Sequence, residues 1–321
     1  MSWFDAAFSS LPDPRTGNAK RYDLLEVLTI ALTAAVCGAE SCSDFADFAV
    51  DREGLFREFL RLENGVPSHD TFSRIFRLLD PAAFATCFGR FVSDLGAAGA
   101  GVIAIDGKTL RRSFDGAARA NPLAVVTAFA SATRLVVGQE SFRAAEGGSE
   151  ILAARALLGC LDLTGHLVTA DALHCQDETR RAWVSHEIDW MRGPKSACSE
   201  PALPPDMACL GMIEATVEQA GKITTTRHYH VSSRRLTAQA YLDAARAHWA
   251  VENSLHWVLD VTFDEDRARN RKDHGPENLT TLRKLALNIL NRARPGISVR
   301  RKRKRSGWSD EFARSVIGQM R

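Results

Sequence analysis

The sequence predicts an α/β protein with an all-helical N-terminal region (1–95), a mixed-sheet region (101–295) and a basic C-terminal tail (296–321). Three observations support this. Apolar residues recur at helical spacing as far as Leu95, the stretch Gly96-Ala97-Ala98-Gly99-Ala100-Gly101 interrupts them, and β-rich segments alternate with helices beyond it. At 321 residues, with 45% hydrophobic and 25% charged side chains, the chain is long enough for two domains and is neither disordered nor fibrous.

In the helical region, Asp13-Pro14-Arg15 marks a turn, and Leu24, Leu25, Leu28, Leu32 and Val36 form one face of a first helix. Ser43 can cap a second helix, and residues 52–62 continue with Leu55, Phe56, Phe59 and Leu60 on one face. Pro67 then breaks the chain, and Ser68 or Asp70 starts an amphipathic helix carrying Arg74 and Arg77. A short turn before such a helix is compatible with a helix-turn-helix whose polar face meets DNA. An ordinary capped helix of a bundle explains the same pattern. A last helix spans Pro81 to Leu95. The glycines that follow precede a strand, so they do not fit a dinucleotide-binding fingerprint and read as a linker.

In the sheet region, Val102-Ile103-Ala104-Ile105 ends at Asp106-Gly107, and Leu167-Val168-Thr169 leads to Ala170-Asp171. Between them lie β-rich segments at Leu123–Phe129 and Leu135–Phe142 and a helix at Ile151–Leu161. Two further strands flank Gln219-Ala220-Gly221-Lys222, a hairpin turn. Helices follow at Ala238–Leu259 and Asn278–Asn291.

Net charge is only +2, with an isoelectric point near 8.2, so the overall balance says little about a polyanionic partner. The distribution says more, because Val299-Arg300-Arg301-Lys302-Arg303-Lys304-Arg305 contains no acid. Seven cysteines form no Cys-x-x-Cys pair, which argues against a disulfide framework or a structural zinc and for reduced thiols in the cytoplasm. No stretch reaches the roughly 18 apolar residues of a membrane span, so no membrane partner is expected.

The chemistry rests on three acids. Adjacent strand ends can place Asp106 and Asp171 at one edge of a sheet, where carboxylate oxygens suit Mg2+ or Mn2+. Either residue alone could be a turn or capping aspartate. Glu252 shares a helix face with Ala245, His248, Trp249, Leu255, His256 and Leu259, and a carboxylate on so apolar a face needs a cation. His248 or Arg246 could serve instead of metal. Two ions roughly 4 Å apart, held by three carboxylates, activate a nucleophile on one side of a phosphorus and stabilise the leaving oxygen on the other. Lys108, Arg111 and Arg112 would then meet the DNA backbone, or form a solvated basic loop.

Ala104-Ile105-Asp106-Gly107-Lys108-Thr109-Leu110-Arg111, Ala170-Asp171-Ala172-Leu173-His174-Cys175-Gln176 and His248-Trp249-Ala250-Val251-Glu252-Asn253-Ser254-Leu255-His256-Trp257-Val258-Leu259-Asp260 resemble the ISAs-type (H-repeat-associated) insertion-sequence transposases. The resemblance spans nearly the whole chain, from Asp13-Pro14-Arg15 through Val261–Asp266 to Arg301-Lys302-Arg303-Lys304-Arg305-Ser306-Gly307-Trp308. It implies a helical associated domain and an RNase H-like catalytic domain with an Asp-Asp-Glu metal triad, here Asp106, Asp171 and Glu252. It also implies a β-rich insertion, here at about 177–235, before the glutamate helix. Mg2+ or Mn2+, as two ions, and double-stranded DNA, as transposon terminal repeats and target, are the implied cofactor and partner. Self-association on DNA and a cytoplasmic, nucleoid-associated location follow from the same resemblance. Arg74, Arg77, Lys108, Arg111, Arg112, Arg301, Lys302, Arg303, Lys304 and Arg305 are the candidate DNA contacts.

One departure stands out. Similar proteins follow the His-Cys-Gln segment with a helix and a core strand, whereas here Gln176 runs directly into Asp177-Glu178-Thr179-Arg180-Arg181-Ala182-Trp183-Val184-Ser185-His186. An internal deletion of one core helix and strand after Gln176 is therefore expected, leaving Asp171 poorly supported. The alternatives to an active transposase are a defective DNA-binding remnant and a metal-dependent DNA nuclease.

Overall fold

A computed structural model describes residues 3–95, 101–114, 122–174, 189–192, 207–293 and 295–318. The N-terminal part is helical, with α1 (Trp3–Phe8), α2 (Leu24–Cys37), α3 (Cys42–Asp51), a single turn α4 (Glu53–Phe56), α5 (His69–Leu78) and α6 (Pro81–Asp94). The Asp13-Pro14-Arg15 turn closes on itself, because the buried Arg15 guanidinium donates to both Asp13 oxygens and to the Tyr22 carbonyl. Asp23 caps α2, and a reciprocal Ser41–Asp44 capping box starts α3, two residues before the expected Ser43. The helix expected over 52–62 is only the turn α4, and a connection from Arg57 to Ser68 separates it from α5, so no short turn joins them.

The strands β1 (Val102–Thr109), β2 (Ala124–Ala130), β3 (Leu135–Phe142), β4 (Leu167–Ala170), β5 (Asp189–Arg192), β6 (Cys209–Gln219) and β7 (Lys222–Ser232) form one sheet in the order β3-β2-β1-β4-β5-β7-β6. β1 is parallel to β4 and β4 to β5, while β2 is antiparallel to both β1 and β3. The predicted hairpin is present as β6–β7, with Ala220 and Gly221 at φ 51° and 76°, the left-handed pair that a tight two-residue turn requires.

β5 corrects the expectation that a core strand is missing beside β4. It pairs with β4 from Leu167↔Asp189 to Ala170↔Arg192, so this side of β4 is not bare. The reason is that a bare inner edge leaves backbone groups unpaired, and the next stretch of chain satisfies them. The deletion point after Gln176 lies outside the described residues.

Strand alternation sorts the two faces of the sheet. Ile103, Ile105, Val126 and Ala128 pack against α7 (Glu150–Gly159) on one face. On the other, Ala104, Phe129 and Val136 join the core of the helical region. The bridge is α8 (Ala238–Val251), α9 (Trp257–Thr262) and above all α10 (Gly275–Arg292), whose residues are buried almost throughout. Asn288 of α10 exchanges two 2.8 Å hydrogen bonds with the Val136 backbone, and Gln139 donates to Thr281 at 2.6 Å. One hydrophobic cluster thus runs from Phe4 through the sheet to Ile317.

The C-terminal segment is not a free tail. It forms α11 (Val299–Trp308) and α12 (Asp310–Ile317), packed on the helical region. Lys302 and Arg303, expected on DNA, are only 4% and 5% exposed. Lys302 donates to the Leu290 carbonyl at 2.6 Å, and Arg303 donates to the carbonyls of Ala35, Ala39 and Thr262 and to Glu40 while its guanidinium lies over the Phe263 ring. These partners satisfy two cations that desolvation would otherwise penalise heavily. Close approach is enforced at Gly307, where a Cβ would lie 2.5 Å from the Cys37 carbonyl oxygen. Among the described residues no single helix is long and apolar enough to cross a membrane. The cysteines among the described residues are free thiols.

Candidate metal centre

Asp106 lies within β1, and Asp171 directly follows β4. The parallel register runs to Ala104↔Thr169, so Asp106 and Asp171 follow at the ends of neighbouring strands, and the Asp171 charge is felt at Asp106. α8 crosses that face, with His248 Nδ1 3.0 Å from the Thr169 hydroxyl.

Glu252 differs from expectation. The helix predicted as continuous from Ala238 to Leu259 opens into a π-turn at Glu252–His256, where the Trp257 amide donates to the Glu252 carbonyl five residues back. The wider turn shifts the helical register, so Val251, Leu255 and Leu259 are buried while the Glu252 side chain is 70% exposed. Glu252 is therefore not a buried carboxylate on an apolar face. Its neighbour is neither His248 nor Arg246 but His256, whose Nδ1 lies 3.8 Å from Glu252 Oε2 and 3.3 Å from Asp106 Oδ2. Asp106, Glu252 and His256 bring ligand atoms within 4.8 Å of one another.

A second group of the same kind contains Glu150, Asp171 and His174. His174 Nε2 lies 3.4 Å from Glu150 Oε1 and 3.9 Å from Asp171 Oδ1. The sequence alone assigns no role to Glu150 or His174. Glu150 looks like any acid opening a Ser-capped helix, which carries no functional signal. His256 is visible there only as part of a helix face.

The electrostatics favour a cation here. Burial, then the charges of Glu252, Glu150 and Asp171, push the Asp106 carboxyl up to about 7, against one opposing backbone hydrogen bond. An Asp106 carboxyl placed this way is stabilised in its charged form by a nearby cation. His256 does not supply it, because burial and the Lys108 and Lys284 ammoniums push its imidazole down to about 4. A neutral ring beside the carboxylates can orient them or donate its nitrogen to a metal. Two sets of hard oxygen donors, each with one imidazole, thus fit divalent metal.

The predicted cations separate into two kinds. Lys108 is buried against Asp260 and Glu265 and is spoken for, and burial, which pulls its ammonium down, is overcome by those two acids. Like Lys302 and Arg303, it is corrected from a phosphate contact to an internal partner of the fold. Arg77 is tied to Asp273 at 2.7 Å. Arg74, Arg112, Arg301, Lys304 and Arg305 are exposed, and Arg111 is exposed with Asp266 3.6 Å away.

A mixed sheet with helices on both faces and two carboxylate–histidine groups makes this an α/β protein able to hold divalent metal. Residues 97–289 match the family described as Transposase DDE domain, and residues 6–92 match the family described as DDE_Tnp_1-associated. The chain belongs to the DDE transposases, of the H-repeat-associated ISAs type found in insertion sequences. DNA cleavage and strand transfer are accordingly its activity, with DNA as partner and divalent metal as the family's requirement.

Among its relatives, "H repeat-associated putative transposase YhhI" of Escherichia coli (strain K12) is 29% identical, with 96% of each chain covered. "Putative transposase YncI" of Escherichia coli O157:H7 is 27% identical over 96% of this chain and 93% of its own. An "Uncharacterized protein in dhlA 3'region" of Xanthobacter autotrophicus is 35% identical over 68% of this chain and 77% of its own. A solved piggyBac transposase synaptic complex with hairpin DNA aligns at TM-score 0.49 and 12% identity, covering 99% of this chain and 76% of that one. The YhhI alignment spans 364 residues, more than the 321 of this chain, so that relative has residues with no counterpart here.

Proposed function

We propose that Asp106, Asp171 and Glu252 are the metal-binding triad of an RNase H-like catalytic domain that cuts double-stranded DNA at transposon terminal repeats and joins the exposed 3′-hydroxyls to target DNA. The observation that carries this reading is that Asp106 and Glu252 share one carboxylate–histidine group while Asp171, at the end of neighbouring β4, lies in a second one near enough for its charge to raise the Asp106 carboxyl. The strand order β3-β2-β1-β4-β5, with β2 alone reversed, supports the RNase H-like reading.

Two Mg2+ or Mn2+ ions, when bound, activate the attacking oxygen and stabilise the leaving one. The chain's own residues do the positioning. Asp106 sits centrally on a rigid strand, neutral His256 holds its Oδ2 without adding charge, and the π-turn frees Glu252 toward the solvent side, where DNA must arrive. Lys108 ties β1 to α9 through Asp260 and to the following turn through Glu265, which fixes the glutamate helix relative to Asp106. Arg74, Arg111, Arg112, Arg301, Lys304 and Arg305 are the exposed cations available to phosphates. Two protomers pairing two DNA ends, in a cytoplasmic, nucleoid-associated setting, complete the proposal.

The shortening relative to YhhI bears on a second reading, a DNA-binding remnant that has lost cleavage. Incubating the protein with a labelled transposon-end duplex and Mg2+ or Mn2+ separates the readings. The triad predicts metal-dependent nicking and strand transfer, reduced roughly 10²- to 10³-fold by Asp106→Asn or Glu252→Gln, the scale on which losing a central electrostatic group acts. Binding without nicking would make the protein a remnant, and nicking that never yields joined product would make it a nuclease.

A further inference from the structure

We propose that Glu150 is a fourth metal-ligating carboxylate, reaching the ion at Asp171 from the face of the sheet opposite Glu252. This rests on reading Asp106, Asp171 and Glu252 as metal ligands. Glu150 opens α7, whose N-terminal end is fixed by the Ser149 hydroxyl accepting from the Leu152 amide. α7 packs under Ile103 and Ile105, whereas α8 lies over the side of β1 that carries Ala104 and Asp106. Acids therefore approach the same end of β1 from both faces.

Gly107 carries the argument further. A Cβ at this position would lie 2.5 Å from Glu150 Cδ, 2.6 Å from its Oε2 and 2.7 Å from its Oε1. Gly107 is not among the residues with positive φ, so its backbone is one that any residue could adopt. What a side chain here would displace is the Glu150 carboxylate, seated where that side chain would be, next to Asp106. The buried His174 ring backs both Glu150 and Asp171, whose side chains are 25% and 52% exposed and so open on the other side. Two oxygens and an imidazole within 4.8 Å, open to solvent on one side, make a partial shell that a hard divalent ion completes with water or phosphate.

The alternative is that Glu150 only opens a helix and pairs with His174. That role would change thermal stability and leave metal affinity alone. The test is Mn2+ binding to the full chain without DNA, by calorimetry, with melting temperature followed in parallel. Glu150→Gln is expected to weaken the ion lost in Asp171→Asn by about 10-fold or more, and adding Glu150→Gln to Asp171→Asn should weaken it little further. Gly107→Ala, which displaces the carboxylate while keeping it, should do the same. Should Gly107→Ala fail to fold, Glu150→Asp, one methylene shorter, should fall between wild type and Glu150→Gln. Wild-type Mn2+ affinity in Glu150→Gln together with loss in Asp171→Asn would overturn the fourth ligand and leave the triad standing. Wild-type affinity in Asp106→Asn and Asp171→Asn as well would remove both.

Discussion

Along α11 the helix sorts a run of cations: Lys302 and Arg303 turn inward onto backbone carbonyls and Glu40, while Arg301, Lys304 and Arg305 face solvent. At the end of the sheet, Asp106 and Glu252 gather on His256 and Glu150 and Asp171 on His174, and among the described residues these histidines are their ion-pair partners. Both regions concentrate charge, yet only the first neutralises it from within. The contrast separates charge that the fold consumes from charge left for a ligand, and it is invisible in the linear order of residues.

The comparison breaks most strongly at Arg303. Arg303→Met leaves the carbonyls of Ala35, Ala39 and Thr262 without this donor, a loss of roughly 3 kcal/mol or more at about 1 to 3 kcal/mol for each buried acceptor. The melting temperature should fall by about 10 °C. A triple change of Arg301, Lys304 and Arg305 to alanine should leave stability nearly unchanged but weaken DNA binding and flatten its salt dependence by about one unit of slope for each phosphate no longer neutralised. A DNA affinity that follows Arg303 and ignores the triple change would reverse the assignment.

Lys284 of α10 sharpens the same contrast, because it is a buried cation less well compensated. Burial pushes its ammonium down to about 7 against the attraction of Glu265, with the Lys108 charge adding to the depression, and it donates to Thr127 at 2.7 Å. A folded pKa below the unfolded one means that the folded state holds fewer protons between about pH 7 and 10.5, so stability rises with pH across that window. Lys284→Met removes this dependence. Its melting temperature relative to wild type should therefore rise as pH falls from 10 to 7, by the equivalent of about 1.4 kcal/mol per unit, and then level off. A difference constant with pH would show that Lys284 stays charged in the fold.

What was legible in the sequence follows from which interactions are local. Apolar spacing marks α2 and α10, and Ala220-Gly221 marks the hairpin, because period and turn chemistry act within a few residues. The proposed triad was legible only through motifs, since neither aspartate is distinguishable from a capping residue by itself. The π-turn at Glu252 escaped because an amide bonding five residues back leaves no compositional mark. β5, four residues long, and the burial of Lys302 and Arg303 escaped because each depends on partners far along the chain, namely β4, Leu290 and the end of α2. Glu150 escaped for the same reason, since its meaning lies in the space above Gly107.

The central claim is that acids distant in sequence share one metal site. Replacing the metal with Fe2+ and adding ascorbate and peroxide generates hydroxyl radicals at the bound ion, and these cut the polypeptide nearby. The account predicts cuts clustered around residues 106, 171 and 252, suppressed together by Asp106→Asn and by excess Mg2+. Cuts confined to one of these segments, or a pattern unchanged by Asp106→Asn, would contradict it.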